Sequence, residues 1–165
     1  MNRRILAFCL AAITLAMNFI FQRVLMNIGA EGRPLIAGFA DFRPAWNNGV
    51  SFSLLTQSSN TGRYLLIAVL TVISIAVAAM AWRATNALVA AGFGLVLGGA
   101  LGNLMDRLQY GGAVFDFLAL HLGSLPLFVC NLADIWISAG VVLLFLDSLL
   151  KKPAPPTIGA PRTRI

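Results

Sequence analysis

The sequence predicts an all-α membrane protein: four transmembrane helices with a small extracytoplasmic β-hairpin or cradle. Three observations predict it: a composition suited to lipid, four long charge-free stretches, and one strand–turn–strand pattern between the first two. The chain has 165 residues, 59% hydrophobic and 11% charged, with a mean hydropathy of +0.84. Soluble domains sit nearer roughly 45–50% apolar and 25% charged. The net charge of +6 comes from 12 Lys and Arg against 6 Asp and Glu. These residues stand singly or in pairs at the ends of apolar segments, with no basic stripe carrying interleaved aromatics, so no nucleic-acid partner is expected. Cys9 lies inside the first apolar segment and Cys130 just before the last, too few and too scattered for a disulfide framework.

Charges bound the four stretches. The first runs from Ile5 to Gln22, between Arg3–Arg4 and Arg23; the second from Tyr64 to Trp82, between Arg63 and Arg83. The third runs from Ala84 to Met105 and stops at Asp106; the fourth is apolar from Leu122 to Leu146 apart from Asp134. Crossing a hydrocarbon core takes about 20 helical residues, and continuous rather than alternating hydrophobicity selects helices over strands. The spans are placed at about 5–23, 64–82, 86–105 and 131–148, within one domain over 1–150. Arg3–Arg4 before an apolar run also has the form of a signal peptide. No small-x-small cleavage site follows, so a retained first span is expected.

The largest piece outside the spans, about 26–60, should contain the β structure. Phe42 to Trp46, Asn47-Asn48-Gly49 and Val50 to Leu55 read as a hairpin around an Asn-Gly turn. Pro44 makes its first strand an edge or a short one. The hairpin could cover a site on the helices. Residues 151–165 hold Pro153, Pro155, Pro156 and Pro161 and read as an irregular tail. With the N-terminus inside, seven basic residues (Arg3, Arg4, Arg83, Lys151, Lys152, Arg162 and Arg164) face the cytoplasm against five outside, placing both termini in the cytoplasm.

Costly polar residues gather on the predicted outer side. Asn103 and Asp106 lie three apart near the end of the third span, with Arg107 next; Asn131 and Asp134 lie three apart at the start of the fourth; Asp116 sits between them. Three-residue spacing places each pair on one helical face, and ionisable groups in such positions face protein or a wet cavity. His121 stands alone in a connecting loop, no cluster has metal-ligand spacing, and no nucleophile elbow occurs. Carboxylates remain, and two sharing a proton can hydrolyse a peptide bond. Asp106 is followed at once by Arg107, and a carboxylate beside a guanidinium tends to stay ionised and structural, so Asp116 and Asp134 are the preferred dyad. A bland reading stays open for each: a helix cap or an interhelical hydrogen bond, as it does for Asn47 as a turn former. The stripe Gly94, Gly98, Gly102 reads as close helix packing. A transporter subunit would scatter its polar groups through mid-bilayer on several spans, and a noncatalytic scaffold for lipidated proteins is the other rival.

The motifs Asn47-Asn48-Gly49-Val50-Ser51-Phe52-Ser53, Gly98-Gly99-Ala100-Leu101-Gly102-Asn103-Leu104-Met105-Asp106-Arg107, Val114-Phe115-Asp116-Phe117 and Asn131-Leu132-Ala133-Asp134 occur in an order that resembles the bacterial lipoprotein signal peptidases (signal peptidase II). The resemblance implies an aspartic endopeptidase of the bacterial inner membrane, with its site on the periplasmic side. It would remove signal peptides from membrane-bound prolipoproteins, cleaving N-terminal to a diacylglyceryl-modified cysteine. It further implies Asp116 and Asp134 as the catalytic pair, and Asn47, Asn103, Asp106, Arg107 and Asn131 as residues that bind substrate or support the dyad. No metal or other cofactor is implied, and a monomer is expected. In the first span, where the family carries an Asp-Gln and then a Lys, this chain has Asn18-Phe19 and then Gln22. The change keeps the charge balance.

Overall fold

The computed structural model describes residues 2–29, 31–49 and 60–150. Four α-helices, α1 (Arg3–Met26), α2 (Asn60–Trp82), α3 (Ala87–Gln109) and α4 (Leu132–Leu150), alternate with four strands, β1 (Arg33–Ile36), β2 (Ala40–Asn47), β3 (Val114–Leu122) and β4 (Leu125–Cys130). All four helices are long and apolar enough to cross a membrane. Most of their large apolar side chains, Ile13, Val72 and Phe145 among them, are exposed on the outside of the bundle, as lipid solvent requires. The expected tail at 151–165 lies outside the described residues.

Helix α3 is the centre, packing against all three other helices. Its glycines make this possible. A Cβ on Gly94 would lie 2.5 Å from the Ala7 carbonyl oxygen, and one on Gly98 would stand 2.7 Å from that of Ala11. Ala7, Ala11, Thr14 and Asn18 of α1 are accordingly buried in that seam. Gly99 does the same for α4, whose Ala133 carbonyl would be 2.5 Å from an added Cβ. Close backbone approach replaces large interlocking side chains, as is common between helices in lipid.

The strands form one antiparallel sheet in the order β1-β2-β3-β4. This corrects two expectations. First, β2 is an eight-residue strand flanked on both sides, with Arg33 opposite Phe42 and Trp46 opposite Phe115; it is neither short nor an edge. Pro44 is accommodated because the register with β3 shifts between Phe42 and Ala45, a bulge that needs no amide there. The second strand of the expected hairpin, residues 50–55, is outside the described residues. Second, half the sheet comes from residues 114–130, where the sequence reading placed a connecting loop. Leu122 pairs with Leu125 across Gly123-Ser124, with Gly123 at φ +59, a two-residue hairpin loop. His121 is therefore a strand residue. It is not alone either: its Nε2 lies 3.3 Å from Asp41 Oδ1.

Candidate active site

Three local structures bring the polar residues to one end of the bundle. The first is the end of α3, which runs past Asp106 and Arg107 to Gln109. Gly111 and Gly112 follow at φ +64 and +98, and the Gly112 amide donates to the Arg107 carbonyl at 2.7 Å, the longer bond of a Schellman stop. That stop turns the chain sharply into β3, so Asp116 returns over the helix end it has just left. The second is the start of α4. The Asp134 amide donates to Asn131 Oδ1 at 3.1 Å and the Asn131 amide donates to Asp134 Oδ2 at 3.2 Å, a reciprocal capping box. The third is the pairing of β2 with β3, which sets Asn47 opposite Val114 and within reach of Asp116.

Side-chain amides tie the carboxylates together. Asn131 Nδ2 donates to Asp116 Oδ1 at 3.0 Å and to Asn103 Oδ1 at 2.9 Å; Asn103 Nδ2 donates onward to Asp134 Oδ1 at 2.9 Å. Asn47 Nδ2 donates to Asp116 Oδ2 at 2.9 Å. Asp116 is only 3% exposed. Burial pushes its carboxyl up to about 6; the hydrogen bond from Asn47 opposes this, the charge of Asp134 adds to it, and Asn131 and the Arg107 guanidinium oppose it. Charged forms are disfavoured by desolvation and by like charge, and favoured by donors. Burial, followed by the charges of Asp134 and Asp116, also pushes the Cys130 thiol up to about 12, which makes it a poor nucleophile. Cys9 and Cys130 are both free.

Asp106 and Arg107 serve different parts of the protein. Asp106 turns away from the Asn103 network and toward α1, accepting from Gln22 Nε2 at 2.9 Å and from the Phe115 amide at 3.4 Å. So the three-residue spacing did not put Asn103 and Asp106 to one use. Arg107, buried beside it, donates to the carbonyls of Asn103 at 3.1 Å and Gly49 at 2.7 Å. It ties α3 to the loop after β2 instead of pairing with its neighbour. The Gly49 carbonyl was not foreseen, since a backbone acceptor leaves no mark in sequence. Gln22 had a signal: with Asn18 it forms an i, i+4 polar pair in an otherwise apolar span. Asn18 is buried against Gly102, and among the described residues its amide has no hydrogen-bond partner. It shares a cavity of about 20 Å³ with Gln22, Asn103, Asp106 and Asn131.

What can this arrangement do? Two carboxylates, Asp116 buried and Asp134 half-buried, belong to one hydrogen-bonded chain, the second of them in the first turn of a helix. No group of three or more His, Cys, Asp or Glu with metal-site geometry occurs among the described residues. Acid–base work is what the residues support.

Comparison with known proteins gives one family by sequence and a shared fold by structure. The family model described as Signal peptidase (SPase) II matches residues 6–150. A lipoprotein signal peptidase of Methylorubrum extorquens (strain PA1) is 48% identical over 122 residues, covering 74% of this chain and 71% of that one. One from Methylocella silvestris (strain DSM 15510) is 41% identical over 165 residues, covering 98% of this chain and 96% of the relative. A solved bacterial membrane enzyme, determined by the in meso method at 2.3 Å, superposes with a TM-score of 0.74 at 21% identity, covering 90% of this chain and 93% of that one.

Proposed function

The chain belongs to the signal peptidase II family, multi-pass membrane hydrolases that act on prolipoproteins, and from that premise we propose an aspartic endopeptidase with Asp116 and Asp134 as its dyad. The supporting observation is the bridge Asp116–Asn131–Asn103–Asp134. A carboxyl lifted to about 6 holds its proton for part of the time near neutrality, which suits Asp116 to the acid role; Asp134, held at the start of α4, takes the base role. In the proposed reaction Asp134 takes a proton from water as the water oxygen bonds to the scissile carbonyl carbon. Asp116 protonates the carbonyl oxygen. Collapse of the tetrahedral intermediate breaks the C–N bond: the proton held on Asp134 passes to the leaving amine, and a hydroxyl of the gem-diol returns its proton to Asp116 as the carboxylic acid forms.

The substrate would be a membrane helix followed by a diacylglyceryl-modified cysteine, cleaved on the N-terminal side of that cysteine. Placing the dyad at the end of the bundle lets acyl chains stay in lipid while the peptide bond reaches the carboxylates. Strand β4 turns exposed Leu125, Leu127 and Phe128 outward next to that site, apolar surface of the kind a lipid boundary covers. Asn47, Asn103, Asp106, Arg107 and Asn131 hold the dyad and its surrounding loops in place. The sequence count of seven basic residues (Arg3, Arg4, Arg83, Lys151, Lys152, Arg162 and Arg164) against five favours the inner membrane with the termini cytoplasmic and the dyad periplasmic.

The test is cleavage of a purified prolipoprotein, with and without its diacylglyceryl group, by the wild-type chain and by Asp116→Asn and Asp134→Asn. Each variant should lose about 10²–10⁴-fold in rate, and the unmodified precursor should remain uncut. A variant that still cleaves within tenfold of wild type removes that residue from the dyad.

A further inference from the structure

At the end of the bundle away from the carboxylates, α1 begins beside the turn between α2 and α3. Asn2, Arg3, Arg4, Trp82, Arg83 and Ala84 line a concavity of about 560 Å³ there. Among the described residues, three guanidinium groups and no carboxylate line it. Two of the three are anchored to the neighbouring hairpin: Arg3 Nη1 donates to the Thr85 carbonyl, and Arg4 Nε donates to the Trp82 carbonyl at 3.1 Å. The Arg4 guanidinium also lies over the Trp82 ring, 4.3 Å from its centroid, a cation–π contact. Each anchoring bond uses one of five guanidinium donors, so the forks are held in place with most of their donors unspent. The start of α1, capped by the Asn2 side chain on the Arg4 amide, adds the positive end of a helix dipole to the same spot.

Three like charges in one hollow repel each other unless an anion joins them. Guanidinium forks match the oxygens of a phosphate, bidentately and with charge-assisted bonds. The setting selects the kind of phosphate. The hollow lies at the end of four membrane-crossing helices, beside an exposed Trp82, and tryptophans of this kind sit at headgroup depth. Basic pockets between helix ends at that depth take lipid headgroups. We propose that this concavity binds the phosphate of an anionic phospholipid headgroup, which ties the start of α1 to the α2–α3 turn. The site is independent of the carboxylate chemistry and of which way the chain crosses the membrane.

Native mass spectrometry of the full chain, titrated separately with phosphatidylglycerol, phosphatidylcholine and inorganic phosphate, reads the site directly. Wild type should retain phosphatidylglycerol about tenfold more tightly than phosphatidylcholine. Arg4→Gln/Arg83→Gln should lose that preference, while Arg33→Gln/Arg43→Gln, an equal charge loss in the sheet, should keep it. Helix content and thermal unfolding in a zwitterionic detergent report whether the variants fold. If the glutamine pair does not fold, Arg4→Lys/Arg83→Lys takes its place, keeping charge but not the fork, and should bind at least about threefold less tightly. The proposal is overturned if the two glutamine pairs lose the preference equally, if the lysine pair binds as wild type does, or if inorganic phosphate binds as tightly as the lipid.

Discussion

The two ends of the helical bundle solve opposite electrostatic problems. At the sheet end, carboxylates are buried or half-buried and held by neutral amides: Asn47, Asn103 and Asn131 around the Asp116–Asp134 pair, and Gln22 on Asp106. At the other end, arginines are exposed and held by backbone carbonyls and an aromatic ring. An amide donor steadies a carboxylate without cancelling its charge, so the group can still gain and lose a proton. A salt bridge in its place would fix the charge. The carbonyl-anchored guanidiniums cannot deprotonate, and their role is to stay charged. The sheet end gathers its carboxylates on amides; the other end gathers guanidiniums on carbonyls, beside one buried carboxylate, Asp147, that accepts from Asn86 Nδ2 at 2.6 Å.

The contrast can be broken most sharply at Asn131. Asn131→Ala removes the cap of α4 and the bonds to both Asp116 and Asn103 in one step. A loss of about 3 kcal/mol is expected, the cap contributing about 1 and the bonds the remainder. Thermal or denaturant unfolding in detergent measures it, and an effect near zero would mean the bridge does not hold the end together. Gln22→Leu comes next. It strips a charge-assisted donor from Asp106 and should cost about 1.5–3 kcal/mol by the same measurement, whereas Arg4→Gln, at the exposed end, should cost no more than about 1 kcal/mol when anionic lipid is absent.

The pH dependence sharpens the comparison further. The raised Asp116 carboxyl favours the protonated folded chain. Its stabilising contribution is fully present below the unfolded value of 3.8 and disappears as pH rises through about 6. A reaction that needs that proton should show kcat/KM falling above about pH 6, and a flat profile from pH 5 to 9 would assign the acid elsewhere. Asn47→Ala removes a donor to the charged form, so the falling limb should move to higher pH; Asp134→Asn removes a neighbouring negative charge, so the Asp116 titration, followed by carboxyl NMR, should move lower. The smallest effect is expected at Asn18. Its amide has no partner among the described residues, so Asn18→Leu should leave stability within about 0.5 kcal/mol of wild type or raise it. A larger loss would show that the amide is paired.

The helices were the legible part, because twenty apolar residues in a row admit few other folds. Their ends were less so: charges at Asp106 and Arg107 look like a boundary, yet α3 continues one turn further because those side chains find partners inside the protein. The β3–β4 hairpin was hidden by its own hydrophobicity. Residues 117–120 and 127–130 read as one more apolar stretch, and only Gly123-Ser124 marks the turn. Near the site, three-residue spacing singled out Asn103, Asp106, Asn131 and Asp134, but spacing does not say where a side chain points. Asn103 and Asp106 differ by three residues and serve different neighbours. The contacts that separate them, from Gln22 and from the Phe115 amide, come from parts of the chain far from Asp106 in sequence.

The reciprocal cap at the start of α4 makes Asp134 inseparable from the point where that helix begins. Inserting or deleting one residue within Asn131–Asp134 would carry the Asp134 side chain about 100° around the helix axis relative to its cap, out of line with Asn103. That four-residue stretch is therefore the part of the chain least able to change its length, whatever substitutions its apolar positions tolerate.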